Sequence, residues 1–243
     1  MLVSAQTDIG LKRTSNQDSY EFGQIEKGAV TWAVVCDGMG GMAAGNIASV
    51  EAVRVIANSL KNNLSPKSSP SFINNLLKSS IDSANSVIYD MALNDETLRG
   101  MGTTVVAVVV VKGVAYFAHA GDSRAYLYSN NTLTQITTDH SVVQTMVDSG
   151  QITEDEAKNH PNKNIITRAL GVASYIDIDF AEQTLNDKDI IILCTDGLTN
   201  CIDDELMALS ASDNDFETLA QRLVDLANQN GGNDNITVVA VKN

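Results

Sequence analysis

Short apolar runs rich in valine and isoleucine alternate with polar turns along most of this chain. Their length and β-branched content predict strands at 3–8, 30–36, 103–111, 114–119, 125–129, 132–136, 176–183, 190–195 and 236–241. Lys112-Gly113 joins two of these strands and residues 129–131 join two more, both as tight hairpins. Apolar residues recur at helical spacing over 43–61 (Ile47, Val50, Val53, Ile56) and 72–91 (Ile73, Leu76, Leu77, Ile81, Ala84, Val87, Ile88). A third helix is expected at 216–230, and residues 62–71, with Pro66 and Pro70, read as a loop between the first two helices.

Adjacent hairpins require antiparallel pairing, which excludes a wheel of βαβ units. The expected fold is α+β: an αββα sandwich of two antiparallel sheets flanked by helices, in a single domain spanning 1–243. Residues 137–175 form a polar excursion with short helices expected at 141–149 and 153–158 around Gly150. A segment of this length without its own strand is a functional lid or a decorated loop.

Charge narrows the partners. The chain has 16 Lys and Arg against 30 Asp and Glu, a formal net charge of −14, which repels nucleic acid and anionic membrane. Cys36, Cys194 and Cys201 form no CxxC pair, and Cys36 and Cys194 lie within apolar strands as small buried hydrophobes. The N-terminal sequence MLVSAQTDIG has no signal-peptide pattern, and the apolar run 105–111 is too short to span a bilayer. A reduced, cytoplasmic protein is the expectation.

The aspartates then change the picture. The apolar run 34–36 leads to Asp37, 117–121 to Asp122 and 190–195 to Asp196, while Asp234 directly precedes the strand 236–241 and Asp18 follows the first strand. A single strand-end aspartate is ordinarily a turn former or helix cap. If these ends share one rim of the sandwich, however, the carboxylates converge and repel unless a cation intervenes. Carboxylates, carbonyls and waters suit hard ions such as Mg²⁺ or Mn²⁺. On this reading Gly38, without a side chain, lets its carbonyl face an ion held by Asp37.

The stretches RTSNQD (13–18), DGMGG (37–41), MGTT (101–104), GDSR (121–124), TDHS (138–141), TDGL (195–198) and GNDNIT (232–237) occur in that order. The sequence so resembles the bacterial metal-dependent protein phosphatases, the type 2C family of serine/threonine phosphatases, from end to end. That family has the αββα fold. The resemblance implies hydrolysis of phosphoserine and phosphothreonine by in-line attack of a hydroxide bridging two Mn²⁺ or Mg²⁺ ions, with a third, weaker ion in bacterial members. It implies that Asp37 bridges two metals, that the Gly38 carbonyl completes the first, and that Asp196 and Asp234 bind the second. Asp18 matches a further acidic position, Asp122 with Asp196 matches the third site, and Arg13 would grip the substrate phosphate. Residues 137–175 correspond to the flap of bacterial members, either a substrate-contacting gate or an inert insertion. Phosphorylated proteins, targets of a bacterial Ser/Thr kinase, are the implied partners of a monomer.

One departure concerns the general acid. Some relatives carry His where this chain has Met39, and many bacterial ones where it has Met42; the histidines present, His119, His140 and His160, receive no catalytic assignment. Residues 38–43 satisfy G-x-G-x-x-A and admit a dinucleotide-binding oxidoreductase, although Asp37 would repel the pyrophosphate. A calcium-binding module lacks its loop motif. A catalytically weak relative acting as a binding or regulatory module is opposed by the complete set of acidic positions.

Overall fold

The computed structural model describes residues 1–41, 44–213 and 215–243. Met42 and Ala43, which carry the second His-to-Met departure and the predicted start of the first helix, lie outside the described residues. One sheet contains β1 (Leu2–Asp8), β7 (Arg124–Ser129), β8 (Thr132–Gln135), β10 (Ile190–Cys194) and β11 (Ile236–Lys242), in the order β1-β11-β10-β7-β8. The other contains β2 (Asp18–Ile25), β3 (Val30–Met39), β5 (Val105–Val111), β6 (Val114–Ala120) and β9 (Asp179–Thr184), in that order, with β4 (Gly102–Thr103) paired to β3. Every named pairing is antiparallel. Helices α1 (Ala44–Asn63) and α2 (Pro70–Asn94) cover the second sheet; α5 (Asp196–Thr199), α6 (Asp204–Ala211) and α7 (Leu219–Gln229) cover the first. The predicted αββα sandwich is the observed fold.

Strand periodicity sorts the layers. On β3, Val30, Trp32, Val34 and Cys36 pack toward α1 and α2, whereas Ala33 and Val35 face the other sheet. On β10 and β11, Ile190, Ile192, Val238 and Ala240 pack toward α6 and α7, and Ile191, Leu193, Val239 and Val241 enter the layer between the sheets. Central strands buried on both faces read as continuous apolar runs, which explains VVAVVVV and IIILC. The hairpin turns have the left-handed backbone of I′-type loops, with φ of 53° and 73° at Lys112-Gly113 and 51° and 62° at Asn130-Asn131.

Several boundaries differ from those predicted, each for a physical reason. No strand was expected between Asp8 and Val30, yet β2 is an edge strand whose burial is largely partial or exposed. Such a strand lacks the apolar signature, and its pairing with β3 creates it. The predicted 30–36 strand continues through Met39 because Gly38 and Met39 pair with Thr103 and Gly102. The inter-helix loop is shorter than 62–71: Ser69 caps α2 with its side chain accepting from Phe72 N–H, and Pro70 opens the helix. Strand β9 begins at Asp179 rather than at 176. The excursion holds α3 (Val142–Asp148) and α4 (Glu154–Lys158), close to prediction, the latter with a full capping box between Thr153 and Glu156.

Candidate metal centre

The rim where β3 and β10 end and β2 and β11 begin holds the predicted acidic residues. Asp37, Gly38, Asp122, Asp196, Asp234 and Arg13 line one cleft of about 270 Å³. Asp18 lies buried beneath it. It is Asp37's register partner across β2 and β3.

Asp37 is held by its backbone. Its N–H donates to Thr104 Oγ1 (2.9 Å), and its carbonyl accepts from Thr104 N–H (2.9 Å) and Thr103 Oγ1 (2.8 Å). The MGTT stretch therefore fastens the strand end bearing the central carboxylate. Thr104 Oγ1, which accepts from Asp37 N–H, also shares a hydrogen bond with Ser123 Oγ at 2.7 Å and so ties that strand to the loop carrying Asp122.

The need for glycine at 38 has a different cause from the one expected. A Cβ there would strike the carbonyl oxygen of Gly45, and a Cβ at Gly45 would lie 2.8 Å from the Gly38 carbonyl oxygen. The two glycines let α1 cross β3 backbone to backbone, which by itself excludes a side chain at either position. Gly197 plays a similar part between Asp196 and Asp234, because its Cβ would strike the Asn235 carbonyl oxygen.

Asp196 opens α5 and accepts from Asn200 Nδ2 at 3.0 Å. Asp234 Oδ1 accepts from Asn235 N–H at 2.8 Å, and its Oδ2 accepts from Arg13 Nη2 at 2.6 Å. Asn235, which carried no role in the sequence reading, organises the loop before β2: it donates to the Ile9 and Ser15 carbonyls and accepts from Gln17 N–H. Asp18 Oδ2 accepts from Thr195 Oγ1 (2.8 Å) and Thr237 Oγ1 (2.7 Å). The motifs TDGL and GNDNIT contained these hydroxyls, but spacing alone gave them no task.

These carboxylates raise one another's proton affinity. Burial, then repulsion from Asp196 and Asp234, outweighs the threonine hydrogen bonds and pushes Asp18 up to about 7. Burial and Asp196 push Asp122 up to about 7. Burial and the surrounding carboxylates hold Asp37 well above the usual range, and burial with Asp234 raises Asp196. Asp37, Asp122 and Asp196 each keep some surface in the cleft, whereas Asp18 is buried; closely packed protein on the remaining sides withholds most solvation.

Divalent cations fit this donor set. It consists of oxygens, it is mutually repulsive without positive charge, and Asp18 Oδ1 is buried with no hydrogen-bond partner among the described residues. The rival nucleotide reading fails on topology: β3 has only antiparallel neighbours, so the parallel crossover of a dinucleotide fold is absent among the described residues. The cysteines are unpaired, and burial pushes Cys194 up to about 12 and Cys36 higher still, which leaves neither as a nucleophile.

An αββα sandwich with a carboxylate cleft at one end defines a protein built to hold hard divalent ions. Comparison gives the family. The chain belongs to the protein phosphatase 2C family, whose model matches residues 11–238. It is 38% identical over 244 residues to a serine/threonine phosphatase of Listeria welshimeri, covering 100% of this chain and 96% of that protein. It superposes with a TM-score of 0.91 on the S. agalactiae serine/threonine phosphatase, at 37% identity and 98% coverage of both chains. The catalytic domain of the phosphatase PstP, solved in complex with two manganese ions, matches with a TM-score of 0.86, 33% identity, and coverage of 98% of this chain and 96% of that one.

Proposed function

We infer that this chain is a metal-dependent protein serine/threonine phosphatase that hydrolyses phosphoserine and phosphothreonine. The observation carrying the site assignment is the meeting of Asp37, Asp122, Asp196 and Asp234 in one cleft, above the Asp18 oxygen that has no partner among the described residues. We assign Asp37 to two core ions, the Gly38 carbonyl to the first, Asp196 and Asp234 to the second, and Asp18 to support from below. Asp122 with Asp196 forms the third, weaker position.

Bound Mn²⁺ or Mg²⁺ supplies Lewis acidity, positive charge and acidification of water near neutral pH. The protein's own groups do the rest. Arg13 stands at the mouth beside Asp234 and presents a planar fork to phosphoryl oxygens. Thr103 and Thr104 fix Asp37, and Asn200 fixes Asp196, so the ligand oxygens need little reorganisation. Asn164 and Ile166, from the 137–175 segment, line the cleft wall, which supports a substrate-contacting flap over an inert insertion. No histidine lines the cleft among the described residues. Protonation of the leaving group therefore falls to water or to a group outside the histidines.

The whole chain acts as one catalytic domain, with phosphorylated proteins as substrates. Targets of a bacterial Ser/Thr kinase, a monomeric state and a cytoplasmic location complete the proposal. Acidic charge supports an absence of nucleic-acid partners, and among the described residues no helix is long and apolar enough to cross a membrane. The test is hydrolysis of a phosphothreonine peptide with Mn²⁺, Mg²⁺ or EDTA. Turnover with Mn²⁺, none with EDTA, and at least a hundredfold loss on the order of oxyanion-type effects for Asp37→Asn and Asp196→Asn are expected. Undiminished activity in EDTA refutes the metal mechanism, and activity confined to small phosphate esters removes protein substrates.

A further inference from the structure

The TDHS stretch is left unused by the chemistry above, yet His140 makes an unusually complete set of contacts. Its N–H donates to the Gly121 carbonyl (2.9 Å), and its Nδ1 accepts from Gly121 N–H (3.1 Å). The N–H and the C=O of Gly121, which belong to the two successive peptide units leading into Asp122, are thus both held by one residue. The His140 carbonyl accepts from Thr167 N–H at 2.7 Å, joining it to the returning part of the 137–175 segment.

The Gly121 N–H takes the Nδ1 lone pair, and Nε2 faces both Asp179 Oδ2 at 3.3 Å and the Arg168 Nη1 donor at 3.0 Å. Asp179 Oδ1 accepts from Arg168 Nη1 at 2.6 Å. The His140 ring also stacks on His119, with centroids 4.5 Å apart and 12° between planes; His119 Nε2 donates to the Thr138 carbonyl. Both rings are buried, and desolvation keeps both below the usual imidazole range and neutral near pH 7.

His119, His140 and Asp179 bring potential ligand atoms within 4.8 Å of one another, so a metal site is the obvious alternative. Arg168 argues against it. Its Nη1 lies 3.0 Å from His140 Nε2 and 2.6 Å from Asp179, a permanent cation already in the position an ion would need. Near-parallel stacked rings also aim their lone pairs alongside one another, away from a common point.

We propose that His140 is a positioning residue, which clamps the Gly121 peptide to hold Asp122 at the cleft edge and links it through Asp179 to Arg168 of the flap. This rests on the reading of Asp122 as the third-site ligand. Ser123, on the far side of Asp122, is held by Thr104, so the aspartate is bracketed between two fixed neighbours. Without Nδ1, the Gly121 N–H would lose its partner in a buried setting, and the turn would gain freedom to rotate Asp122 away.

The test uses side chains that keep one end of the imidazole. Asn places an acceptor near Nδ1; Gln reaches toward Nε2; Ala keeps neither. Mn²⁺ binding to the full chain is followed by the EPR signal of free Mn²⁺, with Asp122→Asn as reference and thermal melts as the fold control. Asp122→Asn should abolish the weakest class of site. His140→Ala should weaken that class by about tenfold, as loss of one buried hydrogen bond implies, and leave the tighter sites unchanged. His140→Asn should stay within about twofold of the parent, and His140→Gln should resemble the alanine variant. If Asp122→Asn leaves the isotherm unaltered, the ligand reading itself fails. If Asp122→Asn removes the weak site but His140→Asn and His140→Gln weaken it equally, or neither weakens it, the clamp is overturned. That comparison decides the matter even where the alanine variant does not fold.

Discussion

Thr237 Oγ1 donates to Asp18 Oδ2 at 2.7 Å, although the two residues belong to different sheets. Thr195, which follows β10 and is the N-cap residue of α5, donates to the same oxygen at 2.8 Å. Asp18 therefore pins the two layers together directly beneath the cleft, while its other oxygen has no hydrogen-bond partner among the described residues. Thr237→Val keeps the shape and removes the donor. It should destabilise the metal-free protein by about 1–3 kcal/mol, read from urea denaturation, and an unchanged midpoint would remove the structural weight placed on this bond.

Stability should depend on pH in the direction opposite to that of an ordinary salt-bridged carboxylate. Asp18 and Asp122 move from a reference value of 3.8 up to about 7 on folding. The folded chain then binds more protons than the unfolded one between those values, so unfolding free energy falls as pH rises from about 4 to about 7. In EDTA, the melting temperature should be several degrees lower at pH 8 than at pH 5. Mn²⁺ at a hundred times its dissociation constant should restore about 2.7 kcal/mol at the higher pH. A flat metal-free profile would mean that the carboxylates do not crowd one another as the structure shows.

Gly197→Ala tests the close approach between the Asp196 and Asp234 loops. Its Cβ has no room beside the Asn235 carbonyl. The variant should lose on the order of 3 kcal/mol and bind Mn²⁺ more weakly by calorimetry. Parent-like stability and binding would show that the loops can separate at no cost.

Arg13→Ala separates substrate binding from folding. The Arg13–Asp234 pair is largely exposed on the arginine side, at 52% of the side-chain surface, and contributes under about 1 kcal/mol to stability. The melting temperature should barely move, whereas KM for a phosphopeptide should rise by about tenfold. A large fall in melting temperature with unchanged KM would reverse the assignment.

Apolar runs ending in Asp37, Asp122 and Asp196, and the hairpins between strands, were legible in the sequence because each is a local pattern of burial and turn chemistry. Those patterns fixed the sandwich, the acidic rim and the family resemblance. Strand β2 was not legible, because an edge strand such as DSYEFGQI has little apolar signal of its own. Nor was the close approach of the Gly45 backbone that excludes a side chain at Gly38. The bonds of Thr195 and Thr237 to Asp18 join residues 177 and 219 positions apart, and His140 meets Gly121 across the base of an excursion. Local pattern determined which residue types stand at strand ends; only tertiary packing decided which hydroxyl, ring or backbone holds each one, because such contacts are set by how distant segments cross and leave no period in the sequence.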